Sequence, residues 1–476
     1  VEVEKVVEKT VEVQVEVTPT PAPVDRKGGW LDMVVFLEEP NAEAAVTRLN
    51  AGEMDIYAYT ISDPGIYRTV QEMDDIVYTF SYGGYRELTF NVVELDPELG
   101  LNPFSSPKVR EAMHWLVDRD YIVQEIYGGL ARPRYTCFNT VFPDYANVAP
   151  TIAEIKNKYA YNPEKAQEII TQEMEAMGAE LVDGKWMFNG EPVTIIFLIR
   201  NEDNRQEIGD YVANLLEEVG FTVDRQYRTG AEAAPLWQGD PYEGTWHLYT
   251  AGWGASFINR DLAGNFEFFY TPRGYTLSLW QAYTPVEAFD TCADRLNRSD
   301  FASLEERTAL MSECLMYSME DAARVFLVDK SSFSPRRVGT EVTTDLAAGV
   351  ATSQMNPYTM RFTGQVGGAA TIGMPSILAQ PWKPDGGTNW VYDAAAQNAT
   401  SDYGMQVDPF TGLRYPQRIE KAEVYVKEGL PVGRATDSED WLTLEFMPEI
   451  VVPDDAWVDW DAENQVFITA AEKFTQ

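Results

Sequence analysis

Residues 102–129 read NPFSSPKVREAMHWLVDRDYIVQEIYGG, and their spacing predicts one capped helix laid against a sheet. Ser106 stands as N-cap, where a hydroxyl accepts from unpaired first-turn amides; Pro107 fills the first helical position and Gly128 follows the end. Val109, Ala112, Met113 and Leu116 recur at helical spacing. Upstream, LDMVVFLEEP after Trp30 reads as a strand. NAEAAVTRLNAGEMDIYAYT then places Ala44, Ala45, Val46 and Leu49 on one helical face before Gly52 stops it, which completes a β-α-β unit. Residues 76–81 and 87–93 read as strands around the glycine-rich crossing Tyr82-Gly83-Gly84-Tyr85. Downstream, Asn162-Pro163-Glu164 opens another capped helix toward Gly178, and PVTIIFLIR, RQEIGDYVANLLEEVG and FTVDRQYR repeat the β-α-β order. TWHLYTAGW is a further strand, followed by an aromatic loop region up to Trp280. Residues 285–297 and 303–319 form two antiparallel helices, and ARVFLVDK returns as a strand. Residues 331–476 are richer in Gly, Pro and Thr, with short strands such as KAEVYVKEG and WLTLEFMPEI. No internal repeat is evident.

At roughly 150 residues per domain, a chain of 476 residues makes about three units, or two lobes with insertions. Its 45% hydrophobic and 12% aromatic content rules out disorder throughout. The net charge of -38 repels a phosphate backbone and an anionic membrane alike, so no nucleic-acid partner is expected. His114 and His247 are the whole histidine supply, which disfavours zinc and triad chemistry. No apolar run is long enough to span a bilayer. The chain begins without an initiator Met or an apolar leader and so reads as a piece of a longer precursor or a processed product. Residues 1–17 alternate Val with polar residues from Val11 to Val17, and TPTPAP follows as a stiff extended spacer. Two readings stand for this stalk: a solvated tether, or a strand that pairs with a neighbouring subunit to give a homo-oligomer, even a surface filament or lattice.

The ordered series LNAGEMDIYA, ELTFNV, NPFSSPKVREAMHWLVDRDYIVQEIYGG, YNPEKAQEII and PVTIIFLIRN, with a helix and EEVGFTVDRQ after it, resembles the family 5 extracellular solute-binding proteins. These are the peptide- and nickel-type receptors of ABC importers. Asn91, Pro103, Phe104, Val109, Arg110, Ala112, Asp118 and Arg119 sit where that family's N-x-PF-x-VRxA-x-DR signature would place them, and the resemblance covers residues 30–327. It implies an α/β, two-lobed periplasmic-binding-protein-like (type II) fold with hinge-crossing strands. The stalk would take residues 1–23; lobe I, incomplete or rearranged, residues 24–88 and 323–476; lobe II, residues 89–322. It also implies an extracytoplasmic protein, at the cell surface or in the periplasm, with lipid anchoring of the precursor left open. Such a protein captures a peptide-like or similar small polar solute for an ABC importer permease, without bond chemistry and without a cofactor. Family members carry a long first-lobe section with a WHDG-like segment before the AGEMDI region. Here only the stalk precedes it, so the chain reads as a fragment, or its lobe as assembled in a different order.

A receptor of this kind encloses its ligand near the carboxyl ends of strands. Tyr82, Tyr85, Arg200, Asn201, Trp253 and Trp280 follow expected strands or lie in the glycine-loosened loops beside them. Each ring has core packing as its competing role; Trp253, between two glycines in AGWGAS, is the foremost candidate. Asp261, in INRDLAGN, sits near where the family often places an acidic partner for a ligand amino group. Arg200 can meet a ligand carboxylate or pair with Glu202 or Asp203. His114 and His247 read as structural, and Arg110 and Asp118 as scaffold holding the helix to the sheet. Asp459, Asp461 and Glu463 loosely resemble a calcium loop but lack its sixth-place glycine and closing Glu, so no metal site is assigned. Cys292 and Cys314 lie in the two antiparallel helices and are expected to form a disulfide in an oxidising compartment, leaving Cys137 as a buried thiol.

Overall fold

The computed structural model describes residues 27–377, 391–430, 440–461 and 463–474. Residues 1–17 and their spacer, with both readings placed on them, lie outside the described residues. Along the chain, β1 (Met33–Glu38), β2 (Ile56–Tyr57) and β3 (Ile76–Ser81) enter one sheet. β4 (Gly84–Phe90), β5 (Ala131–Pro133), β6 (Thr194–Arg200), β7 (Thr222–Arg228), β8 (Leu248–Gly254) and β9 (Arg324–Lys330) form a second. β10 (Ser332–Arg337) and β11 (Ala369–Met374) then return to the first. The strand orders are β1-β11-β2-β10-β3 and β7-β6-β8-β4-β9-β5. The chain thus changes sheets twice, at Tyr82-Gly83 and at Ser331, which gives the α/β periplasmic-binding-protein-like architecture with crossing strands.

Both crossings are gripped by backbone. Tyr82 N and Gly83 N donate to Leu346 O and Ala347 O, each at 2.7 Å, and Ser331 N donates to Leu130 O at 2.9 Å. A Cβ at position 83 would stand 2.6 Å from Ala347 O, so only glycine lets the loop come this close. Within the sheets, β1, β11 and β2 run parallel, as do β6, β7 and β8. Parallel neighbours need a crossover, and the sequence supplies helices for it. α1 (Ala42–Ala51) joins β1 to β2; Asn41 Oδ1 accepts from Ala44 N at 2.8 Å, and Gly52 ends the helix at φ 77°.

The helix expected from residue 107 onward is shorter than its periodicity suggests. α2 (Pro107–Leu116) opens as foreseen, with Ser106 Oγ accepting from Lys108 N and Val109 N. Val117 then turns extended, and Asp118 Oδ1 caps a new start by accepting from Asp120 N at 2.9 Å and Tyr121 N at 3.2 Å. A side chain that caps its own downstream amides competes with helix continuation, and apolar spacing alone does not register that competition. Arg110 and Asp118 consequently act apart: Arg110 donates to Phe104 O at 2.7 Å and Asp321 O at 3.0 Å. Asn91 Nδ2 ties Pro241 O and Trp246 O, at 2.9 and 3.0 Å.

α2, α3 (Pro163–Ala176), α4 (Arg205–Glu218), α5 (Glu287–Asn297) and α6 (Leu304–Asp321) bury the second sheet in one large core that includes Phe90, Phe104, Met113, Ile199, Leu216 and Leu315. α4 closes in on β6 because residue 209 is glycine: a Cβ there would stand 2.5 Å from Ile199 Cγ2. The first sheet has smaller cores, one around Val46, Leu49, Tyr57 and Phe333 and one around Ile56, Val350 and Ile372. Cys292 and Cys314 are bonded between α5 and α6, with Cα atoms 6.0 Å apart. Cys137 is a buried free thiol, pushed up to about 12 by burial. The two strands expected near the C-terminal end, Ala422–Lys427 and Leu442–Met447, pair in parallel. Asp461 Oδ1 accepts from Glu463 N and Asn464 N, and Asp459 pairs with Lys473, so both carboxylates serve a β-hairpin. Among the described residues, no helix is long and apolar enough to cross a membrane.

Candidate functional site

β6 ends at Arg200, and α4 begins five residues later at Arg205. The intervening turn is organised by Asp203, whose Oδ1 accepts from Arg205 N at 3.1 Å and Arg205 Nε at 2.8 Å. Its Oδ2 accepts from Arg205 Nη2 and from Arg86 Nη2 on β4, both at 2.8 Å. Burial opposes the charge on Asp203, but the Arg86 and Arg205 guanidinium groups outweigh it and hold the carboxyl far below the usual range. Lys330, the last residue of β9, completes this wall. Burial, reinforced by Arg86 and Arg205 and opposed by Asp203, lowers its ammonium to about 7.

This cationic wall faces a cavity of about 660 Å³. The second sheet contributes Arg86, residues 200–207 and Lys330; the first contributes residues 40–42, Tyr57, residues 59–63, Ile66, Pro375 and Ser376, with Tyr392 beside them. The first-sheet residues follow the carboxyl ends of the parallel strands β1, β2 and β11, and Arg200 ends β6. Ligands of open parallel sheets settle at such strand ends. Tyr59 stacks on Tyr392 with ring centroids 5.8 Å apart, giving the first-sheet wall an aromatic floor, and the Tyr57 hydroxyl donates to Glu39 O at 3.2 Å. A 250 Å³ cavity behind β1 has no lining from the second sheet. The crossing cavity, by contrast, takes its walls from both sheets.

Arg200 and Asn201, singled out from the sequence, both line this cavity. Arg200 Nε donates to Glu202 Oε2 at 2.5 Å and its Nη1 to the Tyr249 hydroxyl at 3.1 Å, so the pairing with Glu202 is the one adopted. The other candidates lie elsewhere. Trp253 and Tyr85 are cross-strand neighbours in the second sheet. Trp253 is half-buried, its Nε1 donates to Glu87 Oε1 at 3.0 Å, and Phe268, Phe269 and Tyr275 meet it edge-on. Tyr85 is buried beneath Arg134, whose guanidinium carbon lies 3.8 Å from the ring centroid. Tyr82 sits on the crossing, stacked on Phe80. Trp280 is buried, donates to Phe268 O at 2.8 Å and lies under Arg324 at 4.5 Å. Asp261 is exposed and accepts from Arg307 at 2.6 Å, while Arg307 also holds Asp144. Both histidines are buried in scaffold: His114 Nδ1 is 3.1 Å from Arg119 Nη2, and His247 Nδ1 accepts from Ile196 N at 2.9 Å. The cavity is also lined by Arg86, Arg205, Lys330 and Tyr59, which the sequence did not single out, and by Asp203, which it offered only as a partner for Arg200.

The family model for bacterial extracellular solute-binding proteins, family 5 Middle, matches residues 5–275, and the chain belongs to this family. Over 206 residues it is 24% identical to the oligopeptide-binding protein AppA of Bacillus subtilis, a match covering 41% of this chain and 34% of AppA. The fold is shared with the dipeptide binding protein from a Pseudoalteromonas species, solved with Met-Leu: TM-score 0.51, 14% identity, 68% of this chain and 57% of that one. It is shared as well with DppA from Helicobacter pylori, solved with the peptide STSA: TM-score 0.50, 19% identity, 68% of this chain and 56% of that one. The chain therefore spans about a third of the curated relative and somewhat over half of each of these solved chains.

Proposed function

We propose that the protein captures a peptide-like or similarly small polar solute between its two sheets, outside the cytoplasmic membrane, and hands it to an ABC importer permease. The observation that carries this reading is a cavity whose opposite walls come from different sheets, beside the segments through which those sheets are joined. A molecule bridging both walls stabilises a closed arrangement, because its contacts with the second wall exist only when the lobes are together. We take the lobe boundaries to fall at the two crossings, with Arg200, Asn201 and the Arg86–Asp203–Arg205 cluster on one side and the Tyr59–Tyr392 stack on the other. The names of the relatives, an oligopeptide-binding protein and two receptors solved with short peptides, support the solute class. The test is native mass spectrometry of the full chain with a pool of random tetrapeptides, alongside intrinsic tryptophan fluorescence. Saturable one-to-one complexes are expected; a chain that binds no member of the pool contradicts the reading.

A further inference from the structure

Lys330 is only 8% exposed and lines the cavity, and its ammonium takes part in none of the side-chain hydrogen bonds or ion pairs among the described residues. Arg86 lies on the same face: it opposes Val328 in the antiparallel β4–β9 ladder, and Lys330 is two residues further along β9. Two of its nitrogens are engaged, Nη2 by Asp203 and Nη1 by Tyr85 O, and the buried Tyr127 hydroxyl lies against the same guanidinium. Glycines on neighbouring strands keep this face clear. A Cβ at Gly84 would stand 2.8 Å from Lys330 Cε, and one at Gly252 would stand 2.6 Å from Arg86 Nη1. Two guanidinium groups, Arg86 and Arg205, share the single carboxylate of Asp203. With Lys330 added, the buried wall carries positive charge in excess, inside a chain of net charge -38. An unbalanced buried cation is costly. A matching anion entering the cavity beside Lys330 relieves this cost.

We propose that the solute carries a carboxylate, and that this carboxylate seats against Lys330 Nζ, beside the Arg86 guanidinium. The inference rests on the reading of the crossing cavity as the solute site, and goes beyond it by naming the chemical group that the cavity selects. It has a proton signature. The groups facing Lys330 are Arg86 on β4 and Asp203 and Arg205 after β6; Tyr59, from the opposite wall, lies near the same three groups, and burial keeps its hydroxyl protonated. With its ammonium lowered to about 7, Lys330 is largely neutral at mildly alkaline pH and gains a proton when the anion arrives.

The experiment uses the full chain and three probes: a random tetrapeptide pool with free C-termini, the same pool amidated, and an amidated pool with one glutamate per peptide. The free-acid pool is expected to bind at least about tenfold more tightly than the amidated one, the scale of one charge-assisted contact. Recovery by the glutamate pool would assign the anion to side chains; lack of recovery would assign it to the C-terminus. Lys330→Met should erase most of the acid-over-amide preference, and Lys330→Arg should retain part of it. Titration calorimetry in two buffers of different ionisation enthalpy should show uptake approaching about one proton per ligand near pH 8 and less near pH 6. Equal binding of acid and amide by the unaltered protein overturns the carboxylate seat while leaving solute capture intact. Failure of every pool to bind overturns solute capture itself.

Discussion

Replacing Asp203 by Asn removes the one carboxylate that holds Arg86 and Arg205 together without changing side-chain volume. In the native arrangement it accepts four hydrogen bonds: from Arg86 Nη2, and from the N, Nε and Nη2 atoms of Arg205. Removing one partner of a buried ion pair costs about 3–5 kcal/mol. Because 28% of the Asp203 side chain is exposed, the lower end applies, about 3 kcal/mol. That corresponds to roughly a hundredfold increase in local opening. Hydrogen exchange of the first-turn amides of α4 is the proper readout, since a two-lobed chain does not unfold as one unit. The sign of the pH effect follows from the depressed carboxyl. Its contribution is fully present above the unfolded value near pH 4 and is lost only as pH falls further, through the folded value. The Asn variant should therefore differ from the parent at neutral pH and approach it under strong acid. A change in exchange of less than about threefold at neutral pH would refute the assigned role of Asp203 as the electrostatic centre of the wall.

Other consequences are open to direct measurement. Reducing Cys292–Cys314 should lower the stability of the α5–α6 hairpin by roughly 3 kcal/mol, read as a lower melting temperature in reductant. Cys137 should react with a thiol reagent only after denaturation, and ready labelling of the native protein would contradict its burial. Burial raises Asp345 to about 6, outweighing the amides of Ala348 and Ala347 that favour its charge. Its neutral form is thus preferred in the fold, so the grip of residues 345–349 on Tyr82 and Gly83 should weaken as pH rises from about 4 to 6. Exchange of the Tyr82 and Gly83 amides across that interval tests this, and Asp345→Asn should flatten the profile. Gly83→Ala should displace that loop at a cost of about 1–3 kcal/mol, because its Cβ meets the Ala347 carbonyl; unchanged exchange at residues 346–349 would contradict the close approach.

Much of the scaffold was legible because its signals are local. Gly52 ends α1 by cap chemistry that a few neighbouring residues specify, and the Tyr82-Gly83-Gly84-Tyr85 crossing announced itself by glycines between two strand patterns. The break after α2 was illegible from periodicity, because Asp118 wins by a hydrogen bond rather than by burial. The site was legible only at its rim. Arg200 and Asn201 follow a strand end, whereas Arg86, Asp203 and Lys330 meet across sequence separations that no local pattern encodes. The dense charge of RNEDNR directly after β6 was the one available signal. At Trp253, Gly252 is small to admit the Arg86 guanidinium, while the half-buried Trp253 ring packs among other aromatics and donates to Glu87.

On the proposed function, a solute entering the cavity draws the two sheets together about the crossings at Tyr82-Gly83 and Ser331. Glu43 in α1, next to the lining residues 40–42 from the first sheet, and Glu207 in α4, which lines the cavity from the second-sheet side, are both exposed. With spin labels on cysteines placed at these two positions, pulsed dipolar spectroscopy should report a shorter and narrower distance distribution once the free-acid tetrapeptide pool is bound. Demonstrated binding with an unaltered distribution would contradict a receptor that closes on its guest.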